Sequence, residues 1–353
     1  MRPLKIAIDA MGGDFAPQKI IEGAILALQD KNIEIILVGK QEDILKELGK
    51  YPTSGLPITI VHAPDVIGMD ESPSKASKAK QNASIVVATK LLAEGKADAL
   101  VSAGNSGAVM TSALRYLGRL PGIYRPAIAA RLPTIKGHCI VCDVGANADC
   151  KPEYLVQFAI MAKLAAEIVM KVKNPKVAIL SIGEEKEKGN NLTKHTSPLL
   201  EACKEINFIG NVEGRDIPKG KADVIVCDGF VGNVVLKTIE GTGEVIFKMI
   251  KSGISESFMA KLGYPFLRPA LQNFKKKMDY AEYGGAPLLG VNGVCIISHG
   301  KSTGKAIKNA IRVAVEFVSN RVNESIEKAI LNTPHLPTGK ELLDSPLHSS
   351  LEK

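Results

Sequence analysis

The chain has 353 residues, enough for two ordinary domains or one large α/β domain with an excursion. Hydrophobic residues make up 45% and charged residues 23%, which excludes wholesale disorder and collagen-like structure. Lys and Arg outnumber Asp and Glu by 45 to 37, a net charge of +8 that favours acidic partners; aromatics at 5% and no Trp argue against stacking platforms for single-stranded nucleic acid.

In chain order, short apolar runs end in Gly, Asn, Asp or Ser, and amphipathic helices follow. Lys5–Asp9 leads into AMGGDFAP and a helix from about Gln18. Ile33–Val38 leads into GKQED and a helix. Ile85–Leu92 reads as an apolar helix behind a basic stretch from Pro73 to Lys80. Ala99–Ser102 leads into AGNSG and a helix through Tyr116. Cys139–Asp143 precedes VGANADCKP and a long helix over Glu153–Val172. Val177–Ile182 precedes GEEKEKGNN and a helix near Ser197–Lys204. Val224–Cys227 precedes DGFVGN and a helix from Val235. Gly293–Ile297 precedes SHGKSTGK and a helix to about Val322. Val/Ile/Ala strands alternating with helices predict a mainly parallel sheet covered on both faces, a three-layer α/β/α fold.

Residues 251–285 break the pattern. Ile254, Phe258 and Leu262 lie four apart, and Leu267, Leu271, Phe274 and Met278 continue at helical spacing. Pro265 and Pro269 suit the joint and the start of a second helix, so a helical hairpin inserted in the α/β domain is predicted. Residues 1–330 are expected to form a single α/β/α domain, and 331–353 a polar, mobile tail. Six cysteines do not make a disulfide scaffold, and the start lacks the apolar run of a signal peptide. A cytoplasmic, reduced protein is expected.

In such sheets the loops after the strand carboxyl ends line the ligand crevice. Here they are rich in Gly, Asn and Asp, which lets backbone N–H groups and helix N-termini approach an anion. A phosphate-type ligand is expected on that ground. Asp9, Gly12, Gly13 and Asp14 could cradle it, or the glycines could simply make a tight turn. Asn105, Ser106, Asn147 and Asp228 could hold a ligand or cap the helices that follow. Cys139-x2-Cys142 lies inside a predicted strand, where residues three apart face opposite sides, and no second ligand pair follows at zinc spacing. The structural reading is preferred there, and neither metal nor cofactor is expected. His299 is the one histidine on a loop of the expected active face.

DAMGGD, SAGNSG, GIYRPA, DVGAN, KPEYLVQFAIM, KGNNLTK, NFIGNVEGRD, DGFVGN and YGGAPLLG occur in this order. Together, from about Leu4 to Val322, they closely resemble the PlsX family of bacterial phosphate acyltransferases. The resemblance implies a fold similar to isocitrate and isopropylmalate dehydrogenases and to phosphotransacetylase. It implies acyl transfer from acyl-[acyl-carrier-protein] to inorganic phosphate, giving an acyl phosphate for a membrane glycerol-3-phosphate acyltransferase. It implies a homodimer that touches the membrane peripherally. Carried across, the catalytic lysine and asparagine fall on Lys188 and Asn233. Asp9, Asn105, Ser106, Asp143, Asn147 and Asp228 match motif positions around the same crevice. Ser106 stands where Thr is common, and the extra charge of EEKEK leaves open which lysine of that loop acts.

The residues suit such chemistry. A thioester is already activated and phosphate is already a nucleophilic anion, so positioning and charge neutralisation matter more than a covalent nucleophile. Rival readings are an acyltransferase that uses acyl-CoA and a non-catalytic membrane scaffold; a dehydrogenase ranks below both. Residues 251–312 hold ten Lys or Arg against three acids, so +7 of the +8 sits on and after the hairpin. Phe258, Leu262, Leu267 and Leu271, with Lys275, Lys276 and Lys277, are the expected contacts with an anionic membrane or the acidic carrier protein.

Overall fold

The computed structural model describes residues 2–29, 32–256, 258–278 and 282–333. The first half runs β1 (Leu4–Asp9), α1 (Gln18–Leu28), β2 (Ile33–Gly39), α2 (Gln41–Leu48), β3 (Ile58–His62), α3 (Pro73–Ala79), α4 (Ser84–Ala93), β4 (Ala99–Ser102) and α5 (Ser106–Tyr116). The middle holds β5 (Ala127–Thr134), β6 (Gly137–Cys142), α6 (Pro152–Val169), β7 (Lys176–Ser181), α7 (Asn191–Ala202), β8 (Asn207–Glu213) and β9 (Val224–Val226). Then come α8 (Gly229–Glu256), α9 (Phe258–Met278), β10 (Ala286–Leu289), β11 (Val294–Ile297), α10 (Gly304–Ser319) and α11 (Val322–Asn332).

The strands form one sheet in the order β3-β2-β1-β4-β11-β10-β5-β6-β9-β7-β8. Two parallel blocks make it up, β3-β2-β1-β4-β11 and β6-β9-β7-β8. Three antiparallel pairings separate them, at β11-β10, β10-β5 and β5-β6. Three reversals leave the two blocks running in opposite directions. Their carboxyl ends therefore lie at opposite edges of the sheet, whereas the sequence pattern alone pointed to one common edge.

Helices cover both faces, as expected for a parallel sheet. One face packs against α1, α2, α6, α7, α10 and α11, with Phe158, Leu155 and Met161 of α6 fully buried. The other packs against α3, α4, α5 and the first turns of α8 through Ile85, Val86, Val109 and the half-buried Val231 and Val235. α1 and α10 approach so closely that a Cβ on Gly23 would lie 2.5 Å from the Gly304 carbonyl oxygen. Only glycine fits that crossing.

The predicted hairpin is present with different bounds. Its first arm is α8, which begins at Gly229 directly after β9 and runs unbroken to Glu256. Pro265 and Pro269 lie inside α9 rather than at a joint. Apolar side chains on both arms face outward, among them Met249, Met259, Phe266 and Leu267. Leu271 is half-buried. The side chains of Phe258, Leu262, Lys275, Lys276 and Lys277 fall outside the described residues, as does the tail from residue 334.

Candidate active site

Two groups of loops form at the strand ends. In the first, Asp9 is buried at the end of β1. Its carboxylate accepts from Ser102 Oγ at 2.8 Å and from the Met11 N–H at 3.3 Å. Burial pushes the Asp9 carboxyl above its ordinary value, opposed by hydrogen bonding from Ser84 and Ser102. Gly12 passes so near that an added Cβ would lie 2.4 Å from Asp9 Oδ2. The Asp14 N–H donates to the Gly300 carbonyl at 2.8 Å, which ties this turn, Gly13 included, to the loop after β11. Asn105 caps α5 by accepting from the Ala108 N–H at 3.1 Å, and its amide donates to the carbonyls of Gly68, Met69 and Glu71.

In the second group, Asp143 follows β6 and is buried. It accepts from the backbone N–H of Ile128 (3.0 Å), Gly145 (3.1 Å), Ala146 (3.0 Å) and Asn147 (2.7 Å), and from Asn147 Nδ2 (3.0 Å). Burial pushes this carboxyl up too, with the Ala146 and Ile128 donors opposing. Asn147 Nδ2 also donates to the Pro126 carbonyl at 2.8 Å. Asp228 caps α8 by accepting from the Val231 N–H at 2.8 Å.

Lys188 sits on the exposed loop after β7. Its carbonyl accepts from Ser181 Oγ at 3.1 Å, and its ammonium has no hydrogen bond or ion pair among the described residues. Two of the neighbouring charges are engaged: Lys186 pairs with Glu201 at 2.8 Å and Glu184 with Lys221 at 2.7 Å. Of the two lysines in EEKEK, Lys188 is therefore the one left available to a substrate.

Between the groups lies a cavity of about 270 Å³. Ile128 and Ala130 of β5, Ala286 of β10 and Ile297 of β11 give it an apolar floor. Ser106 borders it from the start of α5, and Asn233, Lys237 and Glu240 from α8. His299, Ser298 and Ser302 border it from the loop after β11, and Arg131 from β5. Glu240 Oε2 lies 2.9 Å from Lys237 Nζ and 4.0 Å from His299 Nε2. Burial, with Lys237 adding, pulls His299 below its ordinary value. His299 Nδ1 accepts from the Lys301 N–H at 3.1 Å, so the neutral ring carries its proton on Nε2.

Ser106, Asn233 and His299 are the expected residues that border this cavity. Asp9, Gly12, Gly13, Asn105, Asp143, Asn147 and Asp228 build the loops around it, and Lys188 stands on the loop after the neighbouring strand β7. Sequence reading missed Arg131, Lys237, Glu240, Ser298 and Ser302. Lys237 and Glu240 follow Asn233 by four and seven residues, one helical face, but the helix was expected to begin only at Val235. Arg131 could have been noticed as a charge inside an apolar strand.

Among the described residues no group of three or more His, Cys, Asp or Glu is placed to hold a metal ion. All six cysteines are free thiols. Burial pushes Cys139, Cys150 and Cys295 up to about 12 and Cys203 to about 11, with Cys142 and Cys227 raised well above the ordinary value. Cys139 and Cys142 are buried on β6, as the structural reading of that motif expected.

The model of the fatty acid synthesis protein family matches residues 4–325. The chain belongs to that family. The resemblance carried by the nine motifs is thereby confirmed over the whole span on which it was read. A relative from Pelotomaculum thermopropionicum, a phosphate acyltransferase, is 54% identical over 327 residues, 93% of this chain and 95% of its own length. One from Dictyoglomus turgidum, also a phosphate acyltransferase, is 54% identical over 92% of this chain and 96% of its own. Among solved structures, a phosphotransacetylase from Streptococcus pyogenes shares the fold with a TM-score of 0.58 at 17% identity, covering 91% of this chain and 94% of its own. The three-layer α/β/α expectation holds in that neighbour and in this family member alike.

Proposed function

We propose that the chain is a phosphate acyltransferase that moves a fatty acyl group from acyl-[acyl-carrier-protein] to inorganic phosphate, reversibly, and so supplies acyl phosphate for phospholipid synthesis. The observation that carries this reading is the cavity itself: an apolar floor suited to the acyl end, a polar rim with Asn233 at its mouth, and no activated thiol. A phosphate oxygen attacks the thioester carbonyl carbon, the C–O bond forms, the C–S bond breaks, and the carrier thiolate leaves and takes up a proton. Asn233 orients phosphate or the carbonyl, and Lys188 neutralises charge as the oxyanion develops. The transfer is direct, with no acyl-enzyme.

The test is acyl-phosphate formation from purified protein, acyl-carrier protein and phosphate. Lys188→Ala and Asn233→Ala should each lower kcat by about 10²-fold or more. Wild-type turnover in both variants, or stable acylated protein seen by intact mass, would overturn the mechanism. Equal turnover of acyl-CoA would favour the coenzyme A reading.

Residues 1–330 act as one catalytic domain in this reading. Among the described residues no helix is long and apolar enough to cross a membrane. The outward apolar side chains of α8 and α9 support a homodimer that rests peripherally on an anionic cytoplasmic membrane face, near a membrane glycerol-3-phosphate acyltransferase.

A further inference from the structure

We infer that Arg131 is the residue that binds the phosphoryl group in this cavity, with the hydroxyl of Ser298 as a neutral donor beside it. The proposed function supplies the identity of the anion; the need for an anion comes from the side chain itself.

Arg131 lies half-buried on β5 and borders the cavity. Among the described residues its guanidinium makes no hydrogen bond and no ion pair. The charges nearest to it in effect are Glu316 and Arg312 of α10. These two pair with each other at 3.1 Å. Glu316 attracts Arg131 more than Arg312 repels it, but it forms its ion pair with Arg312 and none with Arg131. Burial pulls the Arg131 guanidinium below its ordinary value. Arg115, Arg125 and Arg268 also lack ion pairs among the described residues, but they are exposed and water serves them. Among the described arginines, Arg131 alone is both sheltered and unpaired. A sheltered cation is costly unless an anion or a set of acceptors meets it. Arg131 borders the cavity from the α10 side of β5, opposite the floor residues Ile128 and Ala130.

A second observation points the same way. Ser298 and Ser302 border the same cavity, are 5% and 2% exposed, and their hydroxyls have no partner. Buried hydroxyls normally find one. Gly285 packs against Ser298, where an added Cβ would lie 3.0 Å from Ser298 Oγ. An unpaired planar fork and unpaired hydroxyls bordering one cavity match a tetrahedral oxyanion, which accepts two parallel N–H bonds and further O–H bonds. The phosphoryl group could be free phosphate or the phosphate ester of the donor's pantetheine arm. Free phosphate is the assignment made here, because it is the nucleophile that the proposed function requires and Arg131 and Ser298 border the same cavity as Asn233.

Equilibrium dialysis with radiolabelled inorganic phosphate tests this on the full chain. Arg131→Gln and Arg131→Lys should each weaken phosphate binding at least tenfold. The KM for phosphate should rise by the same factor while the KM for the acyl donor stays unchanged. On the unmodified protein, phosphate should slow phenylglyoxal modification of Arg131, read by peptide mass; this arm stands even if Arg131→Gln fails to fold. Wild-type phosphate affinity in Arg131→Lys, or no protection by phosphate, would overturn the inference. Protection by pantetheine 4′-phosphate but not by inorganic phosphate would overturn it in favour of the donor arm. A protein that binds phosphate through Arg131 yet forms no acyl phosphate would sink the proposed reaction and leave this assignment standing.

Discussion

Asp9 and Asp143 occupy matching places in the two halves of the sheet and are held differently. Each is buried, Asp9 ends a strand and Asp143 directly follows one, each opens a Gly-containing loop, and burial pushes each carboxyl up. Asp143 meets five donors, four of them backbone N–H groups of the very loop it shapes and of β5. Asp9 meets Ser102 Oγ and the Met11 N–H, with Ser84 and the Gly12 N–H also acting on its carboxylate. Its side-chain partners are hydroxyls, and fewer of its donors are backbone groups. Donors to a buried carboxylate oppose its desolvation, and backbone donors also pin the loop that carries them. The second half, which carries Asn233, is thus the more rigidly specified of the two.

The largest expected effect tests that rigidity. An alanine Cβ at position 232 would fall within 1.9 Å of the Asp143 carbonyl oxygen, a backbone atom that cannot rotate away. Gly232→Ala should destabilise the protein by about 4 kcal/mol, read as a drop in the urea midpoint at unchanged slope. Asp143→Asn comes next. It sets an NH2 group against the Asn147 N–H or the other donors and should cost about 3 kcal/mol. Equal stability of Asp143→Asn and Asp9→Asn would erase the contrast between the halves.

Asp9→Asn should be the mildest, within about 1 kcal/mol at pH 7, since it removes a poorly compensated buried charge. Its sharper signature is in the pH dependence. The Asp9 carboxyl titrates higher in the folded chain than its ordinary value of 3.8. The fold therefore binds this proton more readily than the unfolded chain does. Stability from this group is full below 3.8 and declines as pH rises toward the raised folded value. Measured by urea unfolding, the variant should gain on the wild type from pH 4 to pH 7. A difference that does not vary with pH would show that Asp9 titrates normally.

Much of this was legible in the sequence. The strands at Leu4, Ile33, Ala99, Gly137, Lys176, Val224 and Val294 announce themselves as Val/Ile/Ala runs before Gly-rich loops, and the motif series identified the family. The misses fall into two kinds, edge strands and strands broken by charge or proline. β3 lies on an edge and is only half-buried, so it lacks the continuous apolar run of a central strand. β8 is the other edge and breaks register around Gly210, which has φ +90°. β5 contains Arg131 and Pro133, and β10 is four residues long with Pro287 inside it. Those last two carry the reversals of direction, so missing them concealed that the two sets of loops lie at opposite edges. The cavity residues on β5 were hidden with them. Lys237 and Glu240 were hidden because Gly229 and Gly232 begin α8, where glycine suggests a loop and here permits the contact with Asp143.

The six thiols have a practical consequence for experiment. None is exposed, and each is held as the protonated, weakly reactive form at neutral pH. A cysteine placed at Met259 or Phe266, both well exposed on α9, should therefore outrun all the native ones in reaction with a maleimide. The wild-type sequence is already a quiet background for single-site spectroscopic labels, and a polarity-sensitive dye at either position would report directly on what that helix touches.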